Sequence, residues 1–169
     1  MVIIEFGNER NEGNRMTTLM KNPILKGFYP DPSICRVGED YYIVNSTFSF
    51  FPGIPVFHSK DLVNWIQIGN VIDRENQVNF KGIEHSQGIY APTIRYNNGI
   101  YYLITTNVPY DGNIIFTAKS PEGPWSDSYK IEGAEGIDPS LFFDEDGKSY
   151  YIGTRPNRNG EKYNGDWYI

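Results

Sequence analysis

Two aspartates open the same short motif at separate places in the sequence, Asp31-Pro32-Ser33-Ile34 and Asp138-Pro139-Ser140-Leu141, and Ala91-Pro92-Thr93-Ile94 is an uncharged third version. An aspartate before a proline ordinarily caps a turn with its own side chain. Two in register, with alanine accepted at the third, indicate that the turn does not need the carboxylate. If the openings meet in space, the carboxylates repel one another and lose part of their hydration, which separates their pKa values and suits acid–base chemistry. Other chemistries have little material. The lone Cys35 cannot form an intrachain disulfide, and His58 and His85 are the only histidines, which leaves little for a zinc site. A Ser-His-Asp triad would have to use one of them. His58, beside Ser59-Lys60 on an outer strand, reads as a packing or surface residue, and His85, in the long loop before Tyr90, as a solvated side chain that could reach a hydroxyl of a bound ligand. Cys35, directly after Ile34, reads as a small buried hydrophobe.

The elements that position these residues follow from a repeat. Each opening is followed by a polar turn and a tyrosine pair: Tyr41-Tyr42-Ile43-Val44, Tyr101-Tyr102-Leu103-Ile104 and Tyr150-Tyr151-Ile152-Gly153. The pair begins ten positions after the opening in the first two copies (31 to 41, 91 to 101) and twelve in the third (138 to 150), as a longer hairpin turn would give. A further strand and a Trp-bearing strand follow the first two pairs, ending in Trp65 and Trp125. Each unit therefore reads as a four-stranded antiparallel blade, and the sequence predicts an all-β propeller with blades over about 28–70, 88–131 and 137–169 and a long loop from Asn70 to Gln87. The first residues of each innermost strand of a propeller line its central channel, so Asp31, Ala91 and Asp138 are expected to converge. Propellers close with about four to eight blades, so two and a half to three units form part of a larger ring. The last residues, Gly165 to Ile169, read as a strand interrupted before the third unit is finished.

Composition narrows the function classes. The chain has 169 residues, 15 Lys and Arg against 21 Asp and Glu, and a net charge of −6. With no cluster of basic residues it lacks the electrostatic footprint of a nucleic-acid binder. No apolar run reaches the roughly 18 residues of a membrane span. Residues 1–20 have no secretory pattern and read as a disordered or misassigned extension, and the absence of a signal with one unpaired cysteine points to the cytoplasm. Aromatic residues make up 15%. Rings beside surplus carboxylates suit a surface that handles sugars, although strands also favour aromatic residues for packing alone.

The stretch Asn22-Pro23-Ile24-Leu25-Lys26-Gly27-Phe28-Tyr29-Pro30-Asp31-Pro32-Ser33-Ile34, with Tyr41 to Phe48 and Phe51 to Leu62, resembles the start of glycoside hydrolase family 43 in its β-xylosidase and α-L-arabinofuranosidase branch. Gly88-Ile89-Tyr90-Ala91-Pro92 and Gly136-Ile137-Asp138-Pro139-Ser140-Leu141-Phe142 resemble two later motifs of that family, in order. The resemblance implies a five-bladed propeller that cleaves xylosidic or arabinofuranosidic bonds of a small oligosaccharide with inversion. It implies Asp31 as the general base and Asp138 as the carboxylate that orients the general acid and raises its pKa. It also implies Phe48 and Tyr90 as walls of the sugar pocket, with Tyr90 standing where the family more often has Trp.

The family's acid is a Glu in a Glu-Gly-Pro motif on the fourth blade. Glu122-Gly123-Pro124 spells that motif but lies in an outer hairpin of the second unit, where turn chemistry explains it. The resemblance therefore implies a chain that lacks its acid and is inactive alone. The alternative is a non-catalytic carbohydrate-binding propeller fragment. No cofactor is implied, and no metal is assignable: the calcium found at the centre of some relatives draws its histidine from a later segment. Two open propeller edges could pair two copies or recruit the remaining blades.

Overall fold

The computed structural model of the protein describes residues 21–155 and 166–168, so the expected extension over 1–20 lies outside the described residues. Those residues form strands, turns and loops with no helix. In the first sheet β1 (Ser33–Val37), β2 (Asp40–Val44), β3 (Gly53–Ser59) and β4 (Ile66–Ile72) pair antiparallel in chain order. In the second, β5 (Gly88–Ile89) and β6 (Thr93–Asn97) share one edge of β7 (Ile100–Val108), followed by β8 (Gly112–Ala118) and β9 (Tyr129–Lys130). In the third, β10 (Ser140–Phe143), β11 (Ser149–Arg155) and β12 (Asp166–Tyr168) pair in order, so the strand read at the end of the chain is present at 166–168.

Turn chemistry sets the hairpins. β6 and β7 are joined by Asn98-Gly99, both at positive φ (48° and 83°), the combination that matches the twist of a two-residue hairpin. β10 and β11 are joined by a longer turn in which the Asp144 amide donates to the Lys148 carbonyl at 2.8 Å. This turn accounts for the longer third spacing, and it also slips the register. Tyr42 faces Cys35 and Tyr102 faces Arg95, whereas in the third hairpin Tyr150 faces Phe142 and Tyr151 faces Leu141. A one-residue slip sends a side chain to the other face. The third tyrosine pair is thus not the structural counterpart of the first two, although it matches them in sequence.

The core lies between the first two sheets. Tyr42, Val44, Val56 and Val71 pack against Ile94, Leu103, Ile114 and Phe116, and all eight are buried. The period-two alternation of β8 sends Ile114, Phe116 and Ala118 inward and leaves Ile115 and Thr117 half-buried on the opposite face. Trp125 is buried in the same core from the loop between β8 and β9, and Trp65 immediately precedes β4. Both tryptophans therefore sit before the outermost strand rather than on it. The loop from 73 to 87 is held by the buried Gln77: its Nε2 donates to the Val71 and Ser126 carbonyls, both at 2.9 Å, and its Oε1 accepts the Asp73 and Arg74 amides. The other face of the second sheet meets the third sheet through Tyr102 and Phe143, whose ring centroids are 4.9 Å apart, and through Arg95.

Phe116 is fully buried at the centre of the sheet–sheet interface. Phe116→Ala is expected to cost roughly 3–5 kcal/mol in urea unfolding, the range for truncating a buried aromatic residue. A loss below about 1 kcal/mol would show that this interface is not the core.

Candidate active site

The three motif openings are stitched together by the residue in their third position. Ser33 Oγ accepts the Ile94 amide at 3.2 Å, which ties β1 to β6, and Thr93 Oγ1 donates to the Pro139 carbonyl at 2.9 Å, which ties β6 to the start of β10. Arg95 adds a second tie, donating from Nε to the Leu141 carbonyl and from Nη2 to Ser140 Oγ, both at 3.1 Å. The proline in the second position removes an amide that would continue the ladder, and in the second unit it separates β5 from β6 along the edge of β7. A further hydrogen bond grips the residue before each opening. Asn45 Nδ2 donates to the Pro30 carbonyl at 3.1 Å, Thr105 Oγ1 to Tyr90 at 2.8 Å and Thr154 Oγ1 to Ile137 at 2.9 Å.

Asp31 and Asp138 are brought close enough to act on one another. Protein atoms crowded around the Asp138 carboxyl raise its pKa above the ordinary aspartate range, and the negative charge of Asp31 raises it further, even though the residue keeps an open side to solvent. Asp31 is anchored by Ser46, whose hydroxyl donates to Oδ2 at 2.6 Å, the short length of a charge-assisted bond. Asp31 and Asp138 have φ of 51° and 56°, and Ala91 is not among the positive-φ residues. Left-handed backbone at a non-glycine residue costs on the order of 1–3 kcal/mol. The strain accompanies the carboxylates and is absent at the alanine.

Phe48 has φ 49° and bridges to Ile89, its amide donating to the Ile89 carbonyl at 2.8 Å and its carbonyl accepting the Ile89 amide at 3.0 Å. Gly88 makes that approach possible, because a Cβ there would lie 2.4 Å from the Phe48 carbonyl oxygen. The bridge sets Phe48 edge-on to Tyr90, with centroids 5.6 Å apart and planes at 65°, and the Tyr90 hydroxyl donates to the Ser86 carbonyl. Phe48 and Tyr90 therefore meet at the junction of the first and second units, while Asp31 and Asp138 act on one another across the openings of the first and third. Sequence reasoning missed Ser46, Ser33 and Thr93, although a small hydroxyl in the third position of every opening was visible. It also missed the polar residue four positions after each first tyrosine: Asn45, Thr105 and Thr154.

The remaining candidates lie elsewhere. Glu122 sits in a turn closed by the Gly123 amide on the Ser120 carbonyl. A hydrogen bond from Ser120, its own backbone amide and the positive potential of His58 hold its carboxyl below the usual range, which is opposite to what a proton donor needs. His58 is half-buried, bonded to Asp40 at 2.6 Å and stacked on Tyr42. Cys35 is half-buried rather than fully buried, and its thiol is pushed up by the surrounding protein. Among the described residues no group of three or more His, Cys, Asp or Glu could hold a metal ion.

The sequence model described as Glycosyl hydrolases family 43 matches residues 20–169. A xylosidase/arabinosidase of Butyrivibrio fibrisolvens is 61% identical over 89% of this chain and 29% of its own length. A non-reducing end alpha-L-arabinofuranosidase of Bacteroides ovatus is 49% identical over 78% of this chain and 25% of its own length. Among solved structures, a xylan beta-1,4-xylosidase from Bacillus halodurans superposes with a TM-score of 0.79 at 43% identity, over 86% of this chain and 29% of that one. A member of subfamily 12 of the same family, retrieved from capybara gut metagenome, gives 0.78 at 51% identity, over 84% and 27%. The chain belongs to glycosyl hydrolase family 43, and its three sheets are part of that family's β-propeller fold. It spans under a third of the length of these relatives.

The raised pKa of Asp138 has a thermodynamic consequence. Between the unfolded aspartate pKa, about 3.9, and the higher native value, the folded chain binds more protons than the unfolded one, so stability falls as pH rises through that window. Asp138→Asn removes this term. The variant is expected to match the parent near pH 3 and to be more stable than it at pH 7, as read by urea unfolding at the two pH values. Equal stability at both would show that the carboxyl is not held up.

Proposed function

We propose that this chain is the opening part of a five-bladed family 43 propeller that hydrolyses xylosidic or arabinofuranosidic bonds of small oligosaccharides with inversion. The observation that carries the reading is the coupling of Asp31 to Asp138 at the stitched strand openings, and the Phe48–Tyr90 ring contact between the first and second units supports it. In inversion one carboxylate activates a water while a carboxylic acid protonates the leaving oxygen, about 6.5–9.5 Å away. Asp31, held by Ser46 with its second oxygen outside that bond, serves as the base that takes the proton from water. Asp138 is the modulator: its charge raises the pKa of the acid and its position orients it. The acid itself is a glutamate from a later segment. Glu122, exposed and with its carboxyl held low, does not fill that role. The three sheets are the blades over about 28–70, 88–131 and 137–169, and the protein works on imported sugars in the cytoplasm. Among the described residues no helix is long and apolar enough to cross a membrane.

The 169-residue chain is expected to give no turnover of nitrophenyl xyloside or nitrophenyl arabinofuranoside above buffer. A longer form carrying the later Glu-Gly-Pro segment is expected to turn over and to lose about 10²–10⁴-fold in kcat on Asp31→Asn. Turnover by the 169-residue chain that Asp31→Asn abolishes would overturn the assignment of the acid to a later segment. The second reading, a binding fragment, is favoured by the low-pKa Glu122, and calorimetry with xylobiose separates the two: binding by the longer form without hydrolysis supports a lectin-like role.

The outward faces of the first and third sheets leave Ile34 51% and Phe142 53% exposed. Such open apolar surface is suited to pairing two copies of the chain. Size exclusion over a range of concentrations is expected to show a monomer–dimer shift, and a constant monomer elution would rule out self-pairing.

A further inference from the structure

The segment that leads into Asp138 is held by one buried amide on the neighbouring sheet. Asn113, near the start of β8, faces Thr106 across the ladder with β7, and both are buried. The alternation of β8 puts Asn113 on the same face as Ile115, the face that meets the third sheet. Thr106 Oγ1 donates to Asn113 Oδ1 at 2.6 Å, which leaves Nδ2 to serve other partners. Nδ2 donates to the carbonyls of three consecutive residues, Ala134 at 3.1 Å, Glu135 at 3.2 Å and Gly136 at 3.3 Å, and to the Tyr151 hydroxyl on β11 at 3.0 Å. The Asn113 carbonyl accepts the Ile131 amide at 2.9 Å, so one residue of β8 holds the segment 131–136 at both ends. The same hub reaches the second opening, because the Tyr90 amide donates to the Thr106 carbonyl at 3.0 Å.

Three successive carbonyl oxygens that converge on one point repel one another, and a donor at that point makes the path favourable. Two amide hydrogens serve four acceptors there, so the bonds are shared. Side-chain packing does not fix the path, since Glu135, Gly136, Ile137 and Asp138 are all exposed. Without the donor, the three carbonyls are free to turn to water. Asp138 follows two residues after Gly136, so the path taken by 134–136 is passed on to it. Gly136 lies against β11, where a Cβ would stand 1.6 Å from the Thr154 carbonyl oxygen, and Asp138 is in the left-handed region, with φ 56°. We propose that Asn113 is a positioning residue for Asp138: its amide sets the path of 134–136 and thereby where the Asp138 carboxyl stands relative to Asp31. The inference rests on the role given to Asp138 above and deepens it, because the meeting of the two carboxylates depends on a residue that belongs to neither opening.

The carboxyl carbon resonance of Asp138 in the ¹³C-labelled 169-residue chain tests it. In the parent, Asp138 is expected to titrate above the ordinary aspartate range, because crowding by protein atoms and then the Asp31 charge raise it. Asn113→Leu, which keeps the volume and removes the amide, is expected to shift that titration downward, as the carboxyl moves toward water and away from Asp31. Gln77→Leu removes another buried amide, the one that holds the loop from 73 to 87. It is expected to lower the urea midpoint as Asn113→Leu does, while leaving the Asp138 titration at its parent value. Should Asn113→Leu not fold, Thr106→Val, the same shape without the hydroxyl, is expected to shift Asp138 in the same direction by less. An Asp138 titration that stays at its parent value in the variant that folds, or that moves as far in Gln77→Leu, overturns the positioning role and leaves the aspartate site standing. A parent Asp138 that titrates in the ordinary range overturns the site itself, and the inference with it.

Discussion

The structure turns on a conflict between two carboxylates. Asp31 and Asp138 come from strands that begin more than a hundred residues apart in sequence, yet the Asp31 charge is felt at Asp138, where crowding by protein atoms already disfavours ionisation. Nothing in the local chemistry of an Asp-Pro turn requires this. It is imposed by the sheets, whose openings are fastened side by side through Ser33 and Thr93, and it is accompanied by left-handed backbone at both aspartates. A fold accepts strain and like-charge proximity when surrounding packing over-determines them. Here the packing is the buried interface of Val44, Val56, Leu103 and Phe116, together with the Arg95 ties to the third sheet.

Much of this was legible in the sequence because the constraint is repeated. The three openings, the tyrosine pairs and the turns between them gave the strand order before any coordinates, and the same register argument brought Asp31, Asp138 and the neighbourhood of Tyr90 together. The third hairpin shows where pattern matching stops. Its longer turn moves Tyr150 opposite Phe142, so identical letters occupy different positions in the ladder. Register is a property of the turn as well as of the strand.

The anchors were less legible because each is a single small polar residue with no periodicity of its own. Ser46 reads as an ordinary strand-end serine until its hydroxyl is seen on Asp31, and Asn45 as a turn residue until its amide is seen on the Tyr29 and Pro30 carbonyls. Phe28 reads as one more β-sheet aromatic, and only its exposure separates it from the core. Glu122 shows the opposite case, a motif with the right letters that the sequence already assigns to a turn, and there the turn's hydrogen bonds hold its carboxyl low. Membership of family 43 fixes the scaffold, while the geometry of individual side chains decides which carboxylate can do what.

The central claim is that Asp31 and Asp138 share one electrostatic site, and the carboxyl carbon resonances of a ¹³C-labelled chain report it directly. The account predicts that Asp138 titrates above the ordinary aspartate range in the parent and that its pKa falls when Asp31 is replaced by asparagine, because one of its two causes of elevation has been removed. An Asp138 titration that is unchanged by that substitution would contradict it, and would mean that the strand openings do not converge.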